Sequence, residues 1–170
     1  MTRERWASRG WLTLFLSATT RPPSISLIVR SRPIHIFPSA WDRRGWVYLV
    51  GGRFEEAIRS LERGIRLSPL DPFVHTNLAG IGYALIELRR FDEAVAVSKK
   101  ALRQNSSDPT AFRGLASALA HLGRDAEAHD AAARVLEIDP AYTISGRMSL
   151  RAQTTLKLLV EGLRKAGLPE

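Results

Sequence analysis

The chain has 170 residues, a net charge of +8 and no cysteine, which excludes disulfides, thiolate chemistry and sulfur-ligated metal sites. Its length is enough for one domain with a core of its own. Residues 1–37 hold six arginines against one acid, so most of the charge lies there and the rest of the chain is nearly balanced. No apolar run reaches the roughly 18–20 residues that span a bilayer.

The first 37 residues form a basic leader without sustained helix or strand periodicity. An apolar stretch over 11–18 is followed by breaks at Pro22, Pro33 and Pro38. Three interpretations are open: a poorly ordered leader, an export or targeting signal, and a nucleic-acid-binding arm. The pattern favours a disordered leader ahead of the domain.

A short motif recurs three times in the rest of the chain. Acidic residues precede an alanine in each copy, and these alanines lie 37 and then 34 residues apart. The copies are Phe54-Glu55-Glu56-Ala57, Phe91-Asp92-Glu93-Ala94 and Asp125-Ala126-Glu127-Ala128. Each copy follows an arginine-containing turn and precedes a proline-containing break. A period in the thirties with helical patterning predicts a helical solenoid.

The alanines align three 34-residue units, 38–71, 75–108 and 109–142. Each unit predicts a helix A followed by a helix B that contains the alanine. Small residues at positions 8 and 20 let the two helices approach, and apolar residues at positions 4, 7 and 11 form one stripe. The inserted residues 72–74 explain the longer first spacing. Three units are about the minimum for stability, because a single unit cannot bury its apolar face.

The first unit carries the most specific pattern. Positions 4, 8, 11, 20 and 32 are Trp41, Gly45, Tyr48, Ala57 and Pro69. This arrangement resembles the tetratricopeptide repeat. The resemblance implies an all-α, right-handed superhelix of three helix pairs. Arg44 departs from the pattern, because position 7 is expected to be apolar.

The end of the chain predicts a capping helix within a final segment, 147–170, that follows the repeats and their connector (38–146). Apolar residues recur at alternating spacings of four and three between about 151 and 166. They are Ala152, Leu156, Leu159, Leu163 and Ala166. Gly167 and Pro169 provide a stop. A terminal helix with one polar face covers the last exposed layer of a solenoid.

Two stretches, 68–72 and 161–170, are similar to a narrower group. They resemble the C-terminal repeat region of a bacterial family in which such repeats follow a class III adenylate/guanylate cyclase domain or a winged-helix DNA-binding domain. The resemblance implies a regulatory or partner-binding tail of a cytoplasmic signalling protein. A 170-residue chain that holds these repeats leaves no room for a cyclase domain, and no winged helix is visible. We therefore expect the detached end of a larger protein, or a short open reading frame left by truncation.

The sequence predicts no catalytic, cofactor-binding or metal-ligating residues. The four histidines do not pair at i, i+4 and form no zinc motif with glutamate. No nucleophile elbow and no phosphate-binding loop is present. A surface or satisfied role is therefore the simpler interpretation of His35, His75, His121 and His129.

The functional candidates follow from the family resemblance. In tetratricopeptide stacks, positions 2, 5, 9, 12 and 13 of helix A face a concave groove. Here the candidates are Asp42, Trp46, Thr76, Tyr83, Arg113, Ser117 and His121. We expect them to bind a protein or peptide, or to mediate self-association. The alternative is a regulator that binds nucleic acid through the arginine-rich leader, and a catalytic role lacks any supporting motif.

Overall fold

The computed structural model describes residues 38–170, and the predictions made for the leader lie outside this range. Within it the chain forms nine α-helices and no strand. The helices are α1 (Pro38–Val50), α2 (Phe54–Leu67), α3 (Val74–Glu87), α4 (Phe91–Gln104), α5 (Pro109–His121), α6 (Asp125–Ile138), α7 (Ile144–Arg147), α8 (Leu150–Thr155) and α9 (Lys157–Lys165). None of these helices has the length and apolar character needed to cross a bilayer.

The first six helices form three stacked pairs. The A helices are α1, α3 and α5, and the B helices are α2, α4 and α6. Each A helix packs against its own B helix, and α3 and α5 also pack against the B helix before them. The A helices also contact one another directly, whereas the B helices hardly do. The A helices therefore line the inner face of the stack, and the predicted all-α solenoid is confirmed.

Small residues set the distance between the paired helices. The motif alanines Ala57, Ala94 and Ala128 are fully buried. A Cβ added at Gly45 would lie 2.5 Å from Cγ of Leu61. Larger side chains at these positions would push helix B away from helix A and open voids in the core.

Each B helix begins at the same kind of corner. A residue with positive φ comes first, and the arginine after it has φ near −95° and ψ of 60–68°. The guanidinium then bonds the glutamate three residues further along. These pairs are Arg53–Glu56, Arg90–Glu93 and Arg124–Glu127. The acids also lie at the positive end of the helix dipole.

The predicted single helix over 151–166 is two helices in the structure. The chain leaves the helical conformation at Leu156, with φ −97° and ψ 58°. After this break α9 packs on α5 and α3, both of them A helices, and hardly contacts α6. The bend allows Leu156, Leu159 and Leu163 to be buried together. The terminal helix thus returns along the inner face of the stack.

Candidate peptide-binding groove

The groove is the face that α1, α3 and α5 share, and it has two halves. We call the region around Trp46, near α1 and the start of α3, the open half. We call the region around Ser117, where α9 lies on α3 and α5, the covered half. The two halves differ in what occupies them.

In the covered half, two predicted groove residues contact the chain's own backbone. Ser117 is fully buried, and its hydroxyl donates to the carbonyl oxygen of Leu159 at 3.0 Å. His121 Nε2 lies 2.7 Å from the carbonyl oxygen of Leu158, so the bond requires the hydrogen on Nε2. The His121 ring also stacks on Phe91, with ring centres 4.7 Å apart. These two side chains hold α9 in place.

Glu87 caps the first turn of α9. Its carboxylate accepts a hydrogen bond from the amide of Leu159 at 2.8 Å and from that of Leu158 at 3.3 Å. Such amides have no partner inside the helix and need one elsewhere. Burial raises the pKa of Glu87, and the two backbone hydrogen bonds partly oppose this rise. Sequence reasoning missed Glu87, although it occupies the same repeat position, 13, as His121.

Close backbone contact explains why α9 fits here. A Cβ added at Gly162 would lie 2.2 Å from Oγ of Ser117 and 2.8 Å from its Cα. Only glycine leaves room for the two helices at this point. The contact therefore depends on a small residue from each helix.

The middle of the groove is filled by Tyr83 and Arg113. Tyr83 is 6% exposed, and its hydroxyl donates to the carbonyl oxygen of Thr110 at 3.1 Å. Burial raises the pKa of Tyr83 to about 12, so the phenol stays neutral at physiological pH. The Arg113 guanidinium lies 5.4 Å from the ring centre of Tyr142 and bonds the Thr110 hydroxyl. Tyr83 thus joins α3 to α5, and Arg113 joins α5 to the segment that follows α6.

The open half contains the other three predicted residues. Asp42, Trp46 and Thr76 line one pocket of about 530 Å³. The Trp46 ring meets Tyr83 edge to face, with centres 6.3 Å apart. Val47 and Phe73, in the same pocket, are each 68% exposed. This half presents an apolar surface that residues 38–170 leave uncovered.

Carboxylates border that apolar surface. Oδ1 of Asp42 accepts a hydrogen bond from the Asn77 amide at 2.7 Å. Burial raises the pKa of Asp42, the Asn77 bond opposes the rise, and the nearby Asp71 adds to it. Asp71 lines the same pocket, together with Arg43. The pocket has two carboxylates and one guanidinium. This excess of negative charge favours a ligand that carries cationic groups next to an apolar side chain.

The structure therefore divides the seven predicted residues. Three lie together at an open pocket, and the other four lie where segments of the chain pack on one another. Among residues 38–170, no group of three or more histidine, aspartate or glutamate side chains is arranged to hold a metal ion. The arrangement suits recognition of another chain by shape and charge.

A stack of helix pairs with an inner groove defines the class of helical repeat proteins. Family models described as tetratricopeptide repeat match residues 38–71 and 79–143, which together exceed half of the chain. The chain belongs to the tetratricopeptide repeat family. Domains of this family mediate protein–protein interaction, and the fold is generally non-catalytic. No curated protein matches the chain.

Solved structures share the fold at low sequence identity. A tetratricopeptide-like protein from Chlorobium tepidum is 23% identical with a TM-score of 0.59, covering 78% of this chain and 96% of its own. The first such domain of human RPAP3 is 24% identical with a TM-score of 0.57, covering 77% and 95%. The second domain, solved with the HSP70 peptide SGPTIEEVD, is 23% identical with a TM-score of 0.56, covering 74% and 97%.

Proposed function

We propose that this chain is a non-catalytic interaction module that holds an extended peptide in the open half of its groove. The observation that carries the proposal is the exposed apolar pocket at Trp46, next to a second half that α9 already fills. Tryptophan is a frequent anchor of binding energy at protein interfaces. A ligand side chain seated on Trp46 would cover Val47 and Phe73 as well.

The chemistry of the pocket indicates the kind of peptide. The RPAP3 domain binds an HSP70 peptide that ends in acidic residues. Here Asp42 and Asp71 border the pocket, so an acidic peptide would meet like charge. We therefore propose a peptide with an apolar side chain flanked by lysine or arginine. The Lys/Asn carboxylate clamp of chaperone-tail binders is also missing from the sequence.

A selected peptide tests this proposal. Random twelve-residue peptides displayed on phage are selected on the full chain, and the strongest binder is synthesised and titrated by fluorescence anisotropy. We expect Trp46→Ala to weaken its binding about thirtyfold, the effect of losing a central anchor. Ile138→Ala, a matched apolar truncation at the end of α6, should leave the affinity unchanged. If the peptide bound Trp46→Ala and Ile138→Ala with the affinity of the parent chain, the proposed binding site at Trp46 would be refuted.

We propose further that this module is the regulatory tail of a cytoplasmic signalling protein related to the class III cyclases, acting on a partner or on a second copy. Its support is the resemblance of residues 68–72 and 161–170 to that family. The coding sequence just upstream is the test. A cyclase or winged-helix domain running continuously into this chain would support the proposal, and an unrelated upstream gene would contradict it.

A further inference from the structure

A second pocket, of about 400 Å³, lies between α1 and α2. We call it the arginine pocket. Its lining has five arginines and a single carboxylate. The residues are Trp41, Arg44, Tyr48, Arg53, Glu56, Arg59, Ser60, Arg63 and Arg66. On α1 it faces away from the groove, because two residues turn a helix by about 200° and Arg44 lies two residues after Asp42.

Aromatic rings hold several of these guanidiniums in place. Arg44 lies 5.3 Å from the ring centre of Trp41 and 5.1 Å from that of Tyr48. Arg53 lies 4.4 Å from Tyr48, and Arg63 lies 4.6 Å from Trp41. Stacking restricts the guanidinium and leaves the N–H groups in its plane able to donate; Nε of Arg44 already donates to the Tyr48 hydroxyl at 2.8 Å. A fixed planar guanidinium suits bidentate bonds to phosphate oxygens.

The positive charge of the pocket is not neutralised within the part of the chain that the structure describes. Arg53 pairs with Glu56 at 2.9 Å, and Arg66 reaches Glu62 at 3.5 Å. Across residues 38–170, Arg44, Arg59 and Arg63 have no carboxylate within 4.0 Å. A face that served only solubility would mix both signs. The excess of arginine therefore favours an anionic ligand.

Two residues that line the pocket each have a buried polar atom without a partner among residues 38–170. Ser60 is 3% exposed, and neither its hydroxyl nor Nε1 of Trp41 has a hydrogen-bond partner among the described residues. Buried polar groups nearly always have one. Less than 1 Å² of each atom is accessible, so an oxygen-rich ligand would accept from them only after the lining side chains move aside. This observation is independent of the charge.

The arginine at position 7 sets the first unit apart from the others. Position 7 holds Ile81 in the second unit and Leu115 in the third, and both side chains are buried, at 5% and 8% exposure. Arg44, at the same position of the first unit, is exposed and lines the pocket. The departure from the repeat pattern thus coincides with the cationic site.

We propose that the arginine pocket binds a small molecule that carries a chain of two or more phosphate groups. The volume lies within the range of small-molecule sites. The three guanidiniums that have no carboxylate partner among residues 38–170 offer more donors than one phosphate group can use, even with Nε of Arg44 bonded to Tyr48. Guanidiniums already lie over both aromatic rings, so the pocket recognises phosphates without stacking a base.

Calorimetric titration of the full chain at physiological salt tests the ligand class. The probes are inorganic tripolyphosphate, orthophosphate and a nucleoside triphosphate. We expect tripolyphosphate to bind at least about tenfold more tightly than orthophosphate, since it adds charge-assisted hydrogen bonds. The nucleoside triphosphate should match tripolyphosphate within about threefold. Equal affinity for orthophosphate and tripolyphosphate would overturn the proposal.

Variants test the location of the site. Arg59→Gln/Arg63→Gln should weaken tripolyphosphate binding by at least about tenfold, and Ser60→Ala by less. Lys100→Gln/Arg103→Gln on α4 makes the same change in charge away from the pocket and should have no effect. If both double variants lost the same affinity for tripolyphosphate, binding would be explained by general charge attraction and the proposed site would be refuted. Circular dichroism confirms that each variant is folded.

Two further outcomes separate this proposal from others. A single-stranded oligonucleotide that bound more tightly than tripolyphosphate, and only with Arg59 and Arg63 present, would replace the small-molecule site with a nucleic-acid surface. Trp46→Ala should leave tripolyphosphate binding intact, because Trp46 lies on the opposite side of α1. The proposal of a peptide at Trp46 and the proposal of a phosphate ligand in the arginine pocket are therefore tested independently.

Discussion

The two halves of the groove are built from equivalent repeat positions and yet differ in what they hold. Position 9 is Trp46 in the first unit and Ser117 in the third. Trp46 lines an open pocket, whereas Ser117 is fully buried beneath α9. The size of the side chain at this position accounts for the difference. A large ring leaves room for a ligand side chain beside it, and serine lets a helix backbone approach directly.

The comparison shows that the sequence of a repeat unit does not by itself determine whether its groove face is open to a ligand. The segment after the last unit decides which part of the groove stays free. Ser117, His121 and Glu87 all contact the backbone of α9 at Leu158 or Leu159. Because these hydrogen bonds are made to backbone atoms, they depend on the presence of a helix at that place more than on its particular sequence.

The largest expected effect comes from enlarging Gly162. In Gly162→Val the new Cβ would lie 2.2–2.8 Å from atoms of Ser117, so α9 has to move off α5. We expect the free energy of unfolding to fall by about 1–3 kcal/mol, measured by urea denaturation. Amide exchange of α9 should accelerate, while that of α1 and α2 should not.

Glu161→Val is the matched control, since Glu161 precedes Gly162 in the same helix and is about half exposed. Its effect should stay within about 0.5 kcal/mol. Equal losses in the two variants would mean that the close contact between α9 and α5 does not determine stability.

A gain in stability is expected at the corner before α4. Arg89 has φ +59°, where the corresponding residues of the other two corners are Gly52 and Gly123. The left-handed region costs a side-chain-bearing residue about 1–2 kcal/mol. We expect Arg89→Gly to raise the free energy of unfolding by up to about 1 kcal/mol, part of the gain being lost to the greater freedom of the unfolded chain.

The reciprocal variant isolates the backbone effect. No atom lies within 4 Å of a Cβ added at Gly123, so Gly123→Arg changes conformation without a clash. Thermal unfolding should show it to be destabilised by about 1 kcal/mol. If both changes left the melting temperature unmoved, the left-handed corner would carry no strain.

The smallest effect concerns the cap on α9 and depends on pH. Burial raises the pKa of Glu87, so the folded state binds this proton more tightly than the unfolded state. Its contribution to stability is complete below the unfolded pKa and is lost as the pH rises through the folded pKa. Stability of the parent chain relative to Glu87→Gln should therefore fall as the pH rises above about 4.3, the usual pKa of a glutamate in an unfolded chain.

Glu93→Gln replaces the same residue type on α4, and its effect on stability should change with pH in the opposite direction. The hydrogen bond from Arg90 lowers the pKa of Glu93, so its small contribution is present above the unfolded pKa and is lost on acidification. Urea denaturation at several pH values measures both. If the change in the free energy of unfolding varied with pH in the same direction for both variants, the proposed effect of burial on Glu87 would be contradicted.

The stack itself was predictable from local signals. Ala57, Ala94 and Ala128, at fixed spacing, mark the helix pairs, and all three are fully buried. The Asp108-Pro109 pair predicts the start of α5, where the Asp108 side chain accepts from the amide of Thr110. These features depend on neighbours in the sequence, and a single sequence displays them directly.

The covered half was not predictable, because it depends on contacts between distant parts of the chain. The apolar spacing from Ala152 to Ala166 suits one straight helix as well as two, and Leu156 is not a helix-breaking residue. The break follows from burial against α5, which no local pattern records. Gly162 was the remaining signal, since a glycine beside an apolar stripe indicates close approach of another backbone.

The position of α9 also has a thermodynamic consequence. A ligand long enough to reach past Tyr83 would have to displace α9 from Ser117 and His121. Its measured dissociation constant would then equal the intrinsic constant divided by the fraction of molecules with the helix released. Shorter ligands, confined to the first two helix pairs, would not depend on that equilibrium. The length of a bound chain, more than its sequence, would decide whether binding and opening are linked.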